Sequence, residues 1–187
     1  MRMVATEKIW TEDDLATLPD DGNRYEIIDG ELFVTPSPTW RHGDAALSLA
    51  FILRSYLSAN AAGHVKVAPQ DVVYDKRNVV EPDVFVVPLV DGRPPITWQE
   101  AGRLLLAVEV VSPSSARQDR VAKRWLYQRQ GVPEYWVIDV DAQLVERWRP
   151  ADERPEILTD RLEWQPSAEH APLSIDLDAY FRGVRGE

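Results

Sequence analysis

The sequence contains no cysteine, and this absence excludes disulfides, thiolate metal sites and a cysteine nucleophile. It also lacks an apolar run long enough to span a membrane. The first residues, MRMVATEKIW, do not contain the apolar core of a signal peptide. We therefore expect a cytoplasmic protein.

The chain has no excess of positive charge either. The chain has 31 acidic and 21 basic residues, which gives a net charge of −10 at pH 7. This balance argues against a protein whose whole surface binds nucleic acid, although a local basic patch is compatible with it.

The length and composition indicate one globular domain, since 44% of the 187 residues are hydrophobic. We expect its core at about residues 11–149 and a C-terminal extension at 150–187. The predicted order is helix, hairpin, helix, strands, a buried strand, helix and strands. This order belongs to the α/β (α+β) class, with a mixed central β-sheet flanked by helices. The last residues are expected to fray.

Three local signals carry the predicted order. Asp29-Gly30 is the strongest two-residue hairpin signal in the chain and predicts a pair of strands. Apolar residues at helical spacing between residues 46 and 57 predict one long packed helix. The segment SSARQDRVAKRWLYQRQ, with Gly131 beyond its end, predicts a second helix.

Glu109 lies inside the apolar run LLLAVEVV, which is typical of a strand covered on both faces. A carboxylate in such a place must be protonated, paired with a cation or bound to a metal, because burying it alone costs several kcal/mol. Lys123 is the candidate cation. It lies on the following helix, on one stripe with Asp119 and Tyr127, and can reach back over the strand end.

Asp83 is a second carboxylate with a special position. It follows Pro82, which marks the start or edge of a strand, and precedes the apolar run VFVV. Two carboxylates on adjacent strands with a lysine close by would make a site for a hard cation such as Mg²⁺.

Several motifs follow one another along the chain: YEIIDGEL at 25–32, Pro82-Asp83-Val84, EVVSPSS at 109–115, Asp119, Lys123, Tyr127 and GVPEYWVID at 131–139. Taken in this order, they resemble the Uma2 family, a bacterial family also described as a domain of unknown function. The resemblance implies a restriction-endonuclease-like core of the PD-(D/E)XK superfamily and a nuclease that depends on Mg²⁺ or Mn²⁺ and acts on DNA. It implies that Asp83 and Glu109, with Glu26 as a further acid, bind the metal.

One feature departs from the superfamily pattern. The superfamily places its lysine two residues after the second acid, where this chain has Val111. Uma2-like sequences carry the lysine on the following helix, at the position of Lys123. The mechanism that the resemblance implies is in-line hydrolysis of a phosphodiester. One or two ions would polarise the phosphate, and Lys123 would position the water or neutralise developing charge. Removing Lys123 is expected to slow the reaction and to leave the fold intact.

Other candidate residues have weaker signals. His42, in the first turn of the long helix, is a candidate substrate contact, and Asp119 is expected to orient Lys123. Tyr127 is a candidate support that also fits simple packing. Arg120 and Arg124 belong to a basic cluster on the Lys123 helix that could face phosphate.

Alternative interpretations stay open from the sequence. Glu109 and Lys123 could form a structural ion pair in a non-catalytic binding or dimerisation module, because a fold does not imply its usual function. Asp83 and Glu109 could also be the paired carboxylates of a glycosidase. We expect a homodimer, because edge strands are predicted near a hairpin at Asp141 and because, by analogy, many endonucleases of this fold pair up to cut two strands.

Overall fold

The structure is a computed structural model that describes residues 8–187. The helices are α1 Glu12–Leu15, α2 Trp40–Asn60, α3 Trp98–Ala101, α4 Arg124–Arg129 and α5 Leu177–Arg185, and a π-helical segment, Gln118–Lys123, leads directly into α4. The strands are β1 Arg24–Ile28, β2 Glu31–Thr35, β3 His64–Val67, β4 Val72–Asp75, β5 Asn78–Val80, β6 Val84–Val87, β7 Leu106–Val110, β8 Tyr135–Asp139, β9 Leu144–Trp148, β10 Glu156–Leu158, β11 Arg161–Trp164 and β12 Leu173–Asp176.

The predicted hairpin at Asp29-Gly30 is confirmed. Strands β1 and β2 pair antiparallel with Ile28 opposite Glu31, so the two residues between them form the whole connection. Both have positive φ, 53° at Asp29 and 82° at Gly30, which matches the twist that a two-residue hairpin needs. With β5 and β4 this hairpin forms a four-stranded sheet in the order β2-β1-β5-β4.

The central sheet has six strands in the order β10-β9-β8-β7-β6-β3. It is mixed, because β7 and β8 are parallel while the other neighbours are antiparallel. Helix α2 packs on one face, and α4 packs on the other face together with side chains of the four-stranded sheet. The predicted fold class, a mixed sheet flanked by helices, is therefore confirmed.

Strand β7 has side chains on both buried faces. Leu106, Val108 and Val110 point towards α2, while Ala107 points towards α4. Side chains alternate along a strand, so Glu109 lies on the same face as Ala107, beneath the π-helical segment. The strand alternation thus sets which helix can supply a partner for the carboxylate.

The residues after Trp148 pack into the main core. Strand β10 extends the central sheet, and β11 and β12 form a hairpin. Buried Trp164 and Phe181 belong to the same cluster as the inner face of α2, and the Tyr180 hydroxyl donates to the carbonyl of Ala45 at 2.8 Å. Helix α5 was not predicted, and the expectation that the chain end frays is wrong over Leu177–Arg185.

Two further expectations concern the outside of the molecule. The hairpin near Asp141 joins β8 to β9, and neither is an edge strand, because β7 pairs with β8 and β10 pairs with β9. The edge-strand argument for a homodimer is therefore wrong, and the homodimer itself stays a prediction. Within residues 8–187, no helix combines the length and the apolar character needed to cross a membrane.

Trp164→Ala tests whether the last 38 residues pack into the main core. Trp164 is 2% exposed, and the centre of its ring lies 6.1 Å from that of Trp136. We expect the free energy of unfolding to fall by about 3–5 kcal/mol, as for other tryptophans removed from a core. Urea titration followed by circular dichroism measures it. Trp125→Ala is the control, because Trp125 is 57% exposed. A loss at Trp164 no larger than at Trp125 would contradict the packing described.

Candidate active site

Glu109 is buried, and its carboxylate is held from the helix above it. Oε1 accepts from Lys123 Nζ at 2.9 Å and from the Tyr127 hydroxyl at 3.1 Å. Burial raises the pKa of Glu109 well above its usual value, and the neighbouring Asp83 carboxylate adds to the rise, although Lys123 opposes it. The contact between Glu109 and Lys123 that the sequence suggested is present.

Lys123 is the last residue of the π-helical segment and is also buried. Its Nζ lies 2.8 Å from Glu26 Oε1, 2.9 Å from Glu109 Oε1 and 3.8 Å from Asp119 Oδ1. Burial by itself lowers the pKa of a lysine, but the surrounding carboxylates outweigh it and raise the pKa of Lys123 above its usual value. The ammonium is therefore a fixed charge at the centre of the site.

Asp83 lies directly before β6 and directly after Pro82, which has no backbone N–H to donate to a neighbouring strand. The sequence indicated this position at the start of a strand. Its Oδ1 accepts from Arg24 Nη1 at 2.9 Å. Its Oδ2 accepts from the Val110 backbone N–H at 2.8 Å and lies 3.1 Å from His42 Nε2. Burial raises the pKa of Asp83, yet the His42 hydrogen bond and the Arg24 charge hold the pKa at about 2. Asp83 is the ionised acid of the site.

Glu26, like Asp83 and unlike Glu109, has protein groups on both of its carboxylate oxygens. Oε1 accepts from the Glu81 backbone N–H at 2.8 Å and forms an ion pair with Lys123 Nζ, also at 2.8 Å, and Oε2 accepts from Gln118 Nε2 at 2.9 Å. In this arrangement Glu26 holds the helix that carries Lys123 against strand β1.

A cavity of about 290 Å³ opens over these groups. Its floor contains Asp83, Glu109 and Lys123. Its walls are two loops, residues 36–39 before α2 and residues 112–115 after β7. The polar residues that line it are Arg24, Glu26, Thr35, Ser37, Thr39, His42, Asp83, Glu109, Ser112, Ser114, Ser115, Asp119 and Lys123. Hydroxyl groups therefore surround a charged floor.

Three sequence candidates lie away from the cavity. Tyr127 is fully buried behind Glu109 and does not line the cavity. Arg120 pairs with Asp139 and Glu146. The Arg124 guanidinium stacks on the rings of Trp125 and Trp148, at 4.0 and 4.8 Å from their centres. Arg120 and Arg124, proposed to face phosphate, thus lie away from Asp83 and Glu109.

Two contributors to the site were missed by sequence reasoning. Arg24 is two residues before Glu26, so both side chains fall on one face of β1, and this spacing was the available signal. Gln118 reaches Glu26 from the π-helical segment. The widened turn has no signature in the sequence, although such segments occur frequently at functional sites.

The charges of the site fit a divalent cation. Four buried carboxylates, those of Glu26, Asp83, Glu109 and Asp119, face two cations, Arg24 and Lys123, so two negative charges remain uncompensated unless protons are taken up. Both donors to Glu109 contact Oε1 and leave Oε2 without a donor in the described part of the chain. A dication would neutralise the excess.

The carboxylates do not form a ready-made cage. Among residues 8–187, no group of three or more His, Asp and Glu side chains is placed to hold an ion, because the Lys123 ammonium lies between them. Mg²⁺ commonly uses only one or two carboxylates and completes its shell with water and substrate phosphate. Asp83 and Glu109 line the same cavity and are the two carboxylates that could take this part.

Comparison with known proteins agrees with this architecture. The sequence model of the Uma2 family, described as "putative restriction endonuclease", matches residues 12–179. Among curated proteins, none matches the chain. A crystal structure described as a "putative nuclease belonging to DUF820" from Anabaena variabilis ATCC 29413 superposes with a TM-score of 0.74 at 19% identity, over 93% of this chain and 98% of that one. At this identity the likeness shows a shared fold.

The buried position of Lys123 changes the expectation for its removal. Lys123→Met leaves three carboxylates without their cation, so we expect the free energy of unfolding at pH 7 to fall by about 3–5 kcal/mol. The loss should shrink at pH 5, where Glu109 takes up a proton more readily. Urea titration at both pH values measures it, with the exposed Lys76→Met as control and an expected loss below about 1 kcal/mol. Equal losses in the two variants would argue against the buried charge cluster.

Asp119 gives the site a definite pH dependence. Burial raises its pKa from 3.8 to about 6. Between these values the folded state binds more protons than the unfolded state, so this carboxyl destabilises the fold as pH rises, by about 3 kcal/mol once pH exceeds 6. Asp119→Asn removes the effect. We expect the stability of the variant relative to wild type to rise by about that amount between pH 4 and pH 7.

Urea titrations in EDTA at several pH values measure this difference. The exposed Asp141→Asn is the control and should show no trend. A relative stability of Asp119→Asn that does not change with pH would show that the carboxyl is not desolvated as described.

Proposed function

The chain belongs to the Uma2 family, and we propose that it is a metal-dependent endonuclease that hydrolyses DNA phosphodiester bonds. The observation that carries the proposal is the meeting of Asp83, Glu109 and Lys123 at the floor of one cavity. Two carboxylates and a fixed ammonium are the groups that phosphodiester hydrolysis with a divalent ion requires.

Asp83 and Glu109 would hold Mg²⁺ or Mn²⁺. When bound, the ion would polarise the scissile phosphate and lower the pKa of water as a Lewis acid. Asp83 is prepared for this role because its pKa of about 2 keeps it ionised. Glu109 supplies Oε2, while its Oε1 stays on Lys123 and Tyr127.

Lys123 would stabilise the negative charge that develops on the phosphate. Its position is fixed from both sides, by Glu26 on β1 and Glu109 on β7, so it needs no reorganisation during the reaction. We therefore assign Glu26 to holding Lys123 instead of binding the ion. Arg24 would keep Asp83 in place, and His42 would contact substrate at the cavity wall.

The cavity wall fits a phosphodiester backbone. Hydroxyl groups of the two wall loops can donate to phosphate oxygens, as serine and threonine do in many protein–DNA contacts. The two loops also confine the contact to a short stretch of backbone. Recognition through such local contacts is compatible with a chain whose net charge is −10.

The test measures metal binding and DNA cleavage in the same protein samples. Calorimetry with Mg²⁺ and Mn²⁺ should show binding to wild type and loss of binding in Asp83→Asn and Glu109→Gln. Cleavage of plasmid and single-stranded DNA should fall by about three orders of magnitude in both variants, since the ion supplies several kcal/mol of transition-state stabilisation.

Asp141→Asn is the matched control, because it removes an exposed carboxylate outside the cavity and should change neither binding nor cleavage. Absence of metal binding to wild type at millimolar concentration would overturn the proposal. Glu109 and Lys123 would then be a structural ion pair in a non-catalytic member of the family.

A further inference from the structure

Helix α2 has apolar residues on two opposite faces. One face, which includes Leu49 and Leu53, is buried on the central sheet. On the other, Trp40, Leu47 and Phe51 are 93%, 70% and 72% exposed. Isolated exposed apolar residues are normal, but three large ones aligned on one helix face are a feature of interfaces. Within residues 8–187, no element covers this face.

The exposed face has the spacing of a coiled-coil seam. Its residues follow one another at alternating intervals of four and three, and all are exposed: Trp40, Asp44, Leu47, Phe51, Arg54 and Ser58. This alternation keeps side chains along a single line that a second helix can follow. The seam therefore suits a helix as its occupant.

The order of residues along the seam is self-complementary. A second copy of α2, running antiparallel and crossing at the level of Leu49, places Leu47 opposite the partner's Phe51. The same alignment places Asp44 opposite the partner's Arg54, and twofold symmetry repeats each contact. Apolar residues thus meet apolar residues, and opposite charges meet at both ends.

Both charges lack a partner within the described part of the chain. Asp44 and Arg54 form no ion pair with another residue there. They cannot pair with each other, because ten residues of helix separate them by about 15 Å. A second copy satisfies both at once.

A groove beside the seam offers further apolar contact. It measures about 760 Å³ and runs between α2 and α5, lined in part by Leu47, Phe51, Ile52, Ala179 and Tyr180. We infer that the chain forms a symmetric dimer in which the α2 seams pack antiparallel and the flanking grooves take side chains of the partner.

Charge reversal tests the alignment. Asp44→Arg and Arg54→Asp each set like charges against each other at two places, so each variant alone should dimerise at least about tenfold more weakly than wild type. An equimolar mixture of the two variants restores both opposite pairs. The mixture should form a heterodimer about as readily as wild type forms its homodimer, measured by analytical ultracentrifugation with one variant fluorescently labelled.

Phe51→Ser tests the apolar part of the seam. It removes a large side chain from both halves of the interface, so we expect dimerisation to weaken about a hundredfold. Ile96→Ser is the matched control, since Ile96 is 77% exposed but lies in the loop before α3. It should leave the dimer unchanged, and circular dichroism checks that both variants fold.

Three outcomes would overturn the inference. They are a wild-type chain that stays monomeric at high micromolar concentration, a dimer insensitive to Phe51→Ser, and a failure of the mixed charge variants to associate. None of these measurements uses DNA or metal, so they are independent of the proposed nuclease activity.

Discussion

The rest of the site depends on the ion pairs that the buried Lys123 ammonium forms with the surrounding carboxylates. The ammonium is buried among carboxylates that come from β1, β7 and the π-helical segment, and it joins these three elements at one point. Without it, each carboxylate would be a buried charge that folding disfavours. With it, the excess of negative charge is small enough to be neutralised by protons or by one divalent cation. The same contacts therefore hold the fold together and assemble the candidate site.

The acids around Lys123 differ because their surroundings differ. Asp83 accepts hydrogen bonds from a backbone N–H and from an arginine and lies beside a histidine, and these contacts keep it ionised at low pH. Glu109 has only Lys123 and Tyr127 to offset complete burial, so it takes up a proton more readily. A site with one strongly ionised acid and one adaptable acid would suit the proposed metal, because the second acid could exchange a proton for a cation.

The parts of the site that depend on local pattern could be predicted from the sequence. An apolar run around Glu109 predicted a buried carboxylate, and helical spacing pointed to Lys123, whose contact with Glu109 the structure shows. Arg24 could have been found by the two-residue spacing to Glu26. Gln118 could not, because its reach depends on a widened helical turn that follows from tertiary packing. Helix α5 was missed although local signals were present, since Asp176 caps its start and its buried residues have helical spacing: Leu177, Tyr180, Phe181 and Val184.

Helix α2 shows how one element can serve several requirements without conflict. Its first turn brings His42 to Asp83, its inner face covers the sheet, and its outer face carries the seam. These functions use different sides or ends of the helix, so a change on the outer face does not touch the carboxylates. A 21-residue helix is long enough for this separation, since it extends about 30 Å from the cavity wall. The interface proposed for its outer face would account for the apolar residues of α2 that the core does not bury.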